Sequence, residues 1–198
     1  MRLALLYART RGVPSAGVAL LILSGMGAAA GHWLATRASL DPATARVPVM
    51  VALAVAVAVV LVGTLHSPTD EIERTTPRRW ASWRTGHALT ATAVGALLTA
   101  PVLPATTYGQ TSLLRNTSGL FGLALLSAVI FGPRLGWLLP VGYAATIYLS
   151  ARLGHEQGQC VWAFIMQPAG STRAMVSAGL MLVAGTAAWA YAARRPLR

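Results

Sequence analysis

Across its 198 residues the chain is 55% hydrophobic and only 11% charged, with a mean hydropathy of +0.58 and a formal net charge of +11 that comes from arginine alone. Soluble domains carry about 25% charged residues, so a water-soluble fold would have to hide more apolar surface than these charges can cover, and an all-α polytopic membrane protein is expected. The arginines are scattered between apolar stretches and form no basic face interleaved with aromatics, which argues against a nucleic-acid partner and for orientation and lipid contact.

At the start of the chain, Met1–Gly12 sets Leu3, Leu6 and Tyr7 on one helical face and leaves Arg2, Arg9 and Arg11 mostly off it. The pattern fits either a short helix lying in a membrane interface or a basic tail. Crossing the hydrocarbon takes about 20 apolar residues, and six segments of a single domain approach that length: Val13–Leu34, Val47–Leu65, Gly86–Leu103, Ser112–Phe131, Leu135–Ser150 and Ala174–Ala192. The first runs on past Ala28-Ala29-Ala30 and reads as an uncleaved helix rather than a signal peptide. In it, Gly27 and Gly31 mark a place for close helix contact, as do Gly119 and Gly122 in the fourth. The fourth span also carries Arg115 near one end, where it is expected to snorkel to the interface. The fifth is short and contains Pro140, so a kink is expected.

Between the second and third spans lies the segment Ser67-Pro68-Thr69-Asp70-Glu71-Ile72-Glu73-Arg74, which holds three of the chain's five acidic residues. Ser67 suits a helix cap, with Pro68 at the first helical position and Asp70 in the first turn, where the dipole favours negative charge. Thr76 and Pro77 repeat the start signal and lead towards Trp80 and Trp83. A two-turn acidic helix joined to the third span is expected, and a formed, charged helix is what a soluble partner would grip. The alternative is a solvated loop whose acids balance Arg74, Arg78 and Arg79. Between the fifth and sixth spans, Ala151–Arg173 opens on Arg152, His155 and Glu156, then turns apolar from Cys160 to Met166 and ends at Pro168. That run is too short to span; it is either re-entrant or a loop lying on lipid.

With the N-terminus inside, eleven arginines fall on the cytoplasmic side and five outside. The excess orients both termini to the cytoplasm of a cell membrane, with Trp80, Trp83, Trp137, Trp189 and Tyr191 as inner interface anchors and Trp33, Tyr108 and Trp162 as outer ones. The spans contain no Asp or Glu, so a gradient-driven carrier is disfavoured. The chain has no GxxxxGK[ST] phosphate loop, HExxH or GxSxG, and neither an enzyme nor a metal site is expected. Cys160 is the single cysteine, which excludes an intrachain disulfide. Ser24, Thr90, Thr92, Ser127, Tyr143 and Thr146 are the polar span residues available to line a path, and their sparsity points to an apolar or amphipathic cargo.

This layout resembles the permease subunits of type-2 ATP-binding-cassette exporters: six spans, cytoplasmic ends, an amphipathic helix before the first span, a coupling helix between spans two and three, and half-inserted segments between five and six. The candidates here are Met1–Gly12, Pro68–Thr75 and Gly158–Pro168, and the stretches Arg115–Leu123 and Gly136–Pro140 look like those of small permeases of the group. The resemblance implies that a separate ATPase, which binds ATP and Mg, supplies the energy, with no cofactor in this chain. It also implies a second permease chain, identical or not. By position Asp70, Glu71, Glu73 and Arg74 would contact the ATPase, and Pro77 would pass the motion to the third span. The rival expectation is a non-transporting scaffold, immunity or assembly factor that docks a cytoplasmic partner through the same acids.

Overall fold

The computed structural model describes residues 2–36, 47–66, 80–102, 109–152 and 163–192. Among them the regular elements are seven α-helices and no strand: α1 (Arg2–Thr10), α2 (Val13–Ala35), α3 (Val47–Gly63), α4 (Trp80–Thr99), α5 (Gln110–Phe131), α6 (Leu138–Arg152) and α7 (Thr172–Ala192). Short 3-10 turns follow α4 at Ala100–Val102, join α5 to α6 at Pro133–Leu135, and precede α7 at Phe164–Met166. Three helices, α2, α5 and α7, are long and apolar enough to cross a membrane, whereas α3 is apolar throughout but has 17 residues. The chain therefore has the character of a membrane protein.

Successive helices from α2 onward run back and forth, and α5 is the axle. In its most apolar stretch 67% of residues are buried, against 11% in α2 and 22% in α7. The reason is composition. Less apolar than α2 or α3, α5 carries small residues that let its neighbours come close and polar side chains that find acceptors inside the bundle. At Gly122 an added Cβ would stand 2.3 Å from the carbonyl oxygen of Met181, and at Gly185 it would stand 2.2 Å from that of Gly122. Thus α5 and α7 touch backbone to backbone, with Ala178 against Gly119 in the same seam. Gly27 plays a similar part on α2, where Leu53 and Val102 close in on it. Phe121, Leu120, Leu125, Met50, Val57 and Ile147 fill the space between α3, α5 and α6 and are fully buried.

Outward surfaces are apolar. Val18, Leu21, Ile22 and Met26 line the free face of α2, and Val176, Leu180 and Val183 that of α7, each more than half exposed. Such a surface is unfavourable in water and natural in lipid.

Candidate functional site

Two places in the bundle gather polar groups. The first is the end at which α2 and α4 begin and α3 finishes. Gly12 has φ +64°, a left-handed conformation that costs glycine nothing, and it turns α1 sharply into α2. Pro14 sits in the first turn of α2, where its missing N–H is not needed. This corner buries Arg11, which donates from Nη1 to the Leu65 carbonyl at 2.6 Å and stacks its guanidinium 4.7 Å from the Tyr7 ring centroid. Tyr7 in turn meets Trp83 and His87 of α4, each at 5.7 Å between ring centroids. The His87 Nε2 lies 2.9 Å from the Thr64 hydroxyl, which donates to the Leu61 carbonyl at 2.7 Å. One turn away, Arg84 stands 5.6 Å from the Trp189 ring centroid.

These contacts correct two expectations. Arg11 is 3% exposed and faces inward, while Leu6 is exposed, because a carbonyl in the turn just past the end of α3 offers a charge-assisted hydrogen bond that isolated helical periodicity does not show. Trp189 is buried under Arg84 and is not an interface anchor. Trp33, Trp83, Trp137 and Tyr191 are exposed as an interface residue would be; Trp80, Tyr108 and Trp162 lie outside the residues whose side chains are described.

Beside this corner is an open cavity of about 550 Å³. Tyr7, Trp83, His87, Thr64, Ser82 and Thr90 supply its polar atoms and aromatic faces; Val13, Leu20, Leu61, Ala91 and Val94 supply apolar wall.

The second place is the opposite end, around the turn Phe164–Met166. Ala163, Phe164, Ile165 and Gln167 are buried, so this part of the apolar run does not lie on an outer surface. Gly158 to Trp162 lie outside the described residues. A non-helical backbone among apolar helices survives only if its polar groups are satisfied, and here they are. Asn116 donates from Nδ2 to the Ile165 carbonyl at 2.8 Å. Arg115 donates from Nη2 to Gln167 at 2.7 Å, from Nη1 to Pro168 at 2.9 Å and from Nε to Asn116 Oδ1 at 3.0 Å. The Tyr143 hydroxyl receives backbone N–H groups of Phe164 and Ile165, and its ring stacks on Phe164 at 5.2 Å. Ser171 donates to Gln167 Oε1 and accepts from the Ala174 N–H, starting α7. Arg115 is 4% exposed, so it does not snorkel: three acceptors within reach hold the guanidinium in the bundle.

The six polar span residues do not converge. Ser24 bonds across to the Leu98 carbonyl on α4. Thr92 and Thr146 bond within their own helices, to Ala88 and Gly142. Ser127 accepts from Leu139 N–H and donates to the Leu135 carbonyl, fixing the α5–α6 corner. Tyr143 belongs to the buried turn. Of the six, only Thr90 borders the cavity. Asp70, Glu71, Glu73, Arg74 and Pro77 lie outside the described residues, as do Asp41 and Glu156. Sequence reasoning missed the Arg11–Leu65 and Arg115–Gln167 contacts; the adjacent Arg-Asn pair inside an apolar span was the available signal for the second. No family model matches the chain, and no curated protein and no solved structure matches it either.

Proposed function

We propose that the chain is the permease subunit of an ATP-driven exporter of the ATP-binding-cassette type, in which six helices, α2 to α7, cross a cell membrane with both termini in the cytoplasm. One observation carries this reading: the two residues that bracket the acidic segment, His66 and Trp80, sit at the end of the bundle that α1 clasps. Arg11 holds the chain at Leu65, two residues before Ser67. Tyr7 holds the first turns of α4 through Trp83 and His87. A pull on residues 67–79 therefore reaches α1, α3 and α4 at once, and with them the walls of the cavity.

The sequence contains no GxxxxGK[ST] phosphate loop, and on this reading the pull comes from a separate ATPase that binds ATP and Mg. Asp70, Glu71, Glu73 and Arg74 are the docking charges, and Pro77 passes the motion to the third span. A second permease chain, the same or different, completes the pathway, and the cargo is an apolar or amphipathic small molecule, lipid or peptide.

The double variant Glu71→Arg/Glu73→Arg tests the assignment. It is expected to insert and fold like the parent yet lose both the co-purifying ATPase and ATP-dependent transport in proteoliposomes. Undiminished ATP-dependent transport by the variant would refute the docking role. Purification of the parent as a lone chain indifferent to ATP would favour the scaffold or assembly-factor reading instead.

A further inference from the structure

The cavity beside α1 has a shape and a chemistry that select one class of ligand. Along α4 it is bordered from Ser82 to Val94, which is about 18 Å at 1.5 Å per residue. It is thus a groove rather than a pit. Its polar groups are graded. Tyr7, Thr64, Ser82, Trp83 and His87 stand near the α1 end, and deeper along the helices Thr90 is the one described hydroxyl beside Leu20, Ala91 and Val94. No arginine and no carboxylate is among its described lining residues. The rim merges with lipid-type surface, for Trp83 is 46% and Val94 43% exposed, and Val18 of the neighbouring helix is 58% exposed.

Hydrogen bonding at the polar end sets the head group. A hydroxyl has one proton. The Thr64 hydroxyl lies 2.7 Å from the Leu61 carbonyl and 2.9 Å from His87 Nε2, so it is shared between its own helix backbone and the imidazole. Hydroxyls and an imidazole at the mouth of an apolar groove, with the nearby Arg11 guanidinium already bonded to the Leu65 carbonyl and laid against the Tyr7 ring, suit a head that hydrogen-bonds and carries no charge.

We infer that this groove binds an uncharged single-chain amphiphile with a hydroxyl head, its chain laid between α2 and α4 and its head at Tyr7, Thr64 and His87. The site lies within one copy of the chain, needs no nucleotide engine, and stands whether or not the exporter reading holds.

Two glycines provide the test. A Cβ added at Gly17 or Gly86, both in the groove wall, meets nothing within 4 Å, so a leucine there fills the groove without forcing the helices apart. Gly25, also with open space at its Cβ, lies on α2 away from the groove and serves as control. The full chain in phospholipid nanodiscs is labelled with a monoacylglycerol analogue bearing a mid-chain diazirine, and the cross-links are mapped by mass spectrometry. Labelling is expected on residues 13–20 and 83–94. It should fall about tenfold in Gly17→Leu and in Gly86→Leu and persist in Gly25→Leu. A probe whose hydroxyls are capped as methyl ethers should label these segments less. Labelling spread evenly over the outer faces of α2 and α7, and unchanged by both groove-filling variants, would overturn the site. Equal labelling by the capped probe would overturn the hydroxyl head.

Discussion

Arg115 shows how one side chain can let an apolar bundle hold irregular backbone. Its guanidinium presents donors in a fixed fork, and three of them meet Gln167, Pro168 and Asn116. Removing them leaves the carbonyls of Gln167 and Pro168 without these donors. Each hydrogen bond from a charged donor is worth about 1.5–3 kcal/mol, and partners found in the unfolded, membrane-inserted state reduce the loss. Arg115→Ala is therefore expected to destabilise the chain by about 2–4 kcal/mol and to open the segment before α7 to protease. Arg115→Lys should recover only part of this, because an ammonium reaches both carbonyls less well than a fork. Unfolding midpoints in detergent and limited proteolysis measure both effects. Wild-type stability in Arg115→Ala would mean that the turn is held by apolar packing alone.

At the scale of the elements, α5 and α7 make the closest pair, and glycine is the reason. Their backbones meet at Gly122 and Gly185, where a methyl would overlap a carbonyl. Gly122→Ala is expected to push the two helices apart and cost about 1–3 kcal/mol as an overpacked seam. Gly179→Ala, on α7 with open space at its Cβ, should be neutral or stabilise by about 0.5–1 kcal/mol through helix propensity. Thermal unfolding of the two variants side by side separates packing from propensity. Gly119 and Gly122 were visible in the sequence as small residues in an apolar span, because close approach needs little side chain whatever the partner. The helices were visible for an equally local reason, since apolar runs of this length have few other uses. Which face Arg11 or Arg115 would take was not visible. Each answers to a carbonyl more than fifty residues away, and helical periodicity carries no information about such partners. The same holds for Trp189: its position near a span end reads as an interface anchor, yet Arg84 of α4 covers it.

In the whole molecule the two polar places sit at opposite ends of α5. One end is pinned by the Arg115 clamp; at the other, α1, α3 and α4 meet around a cavity that has space to change. The proposed permease account treats this second end as the part worked from outside, through residues 67–79. That account requires residues 67–79 to face the cytoplasm, the side from which an ATPase acts. The direct measurement is sidedness: Thr69→Cys in a Cys160→Ser background, challenged with a membrane-impermeant maleimide. The account predicts rapid reaction in inside-out vesicles and none in intact cells. Labelling of intact cells, with inside-out vesicles protected, would put the acidic segment on the far side of the bilayer and contradict it.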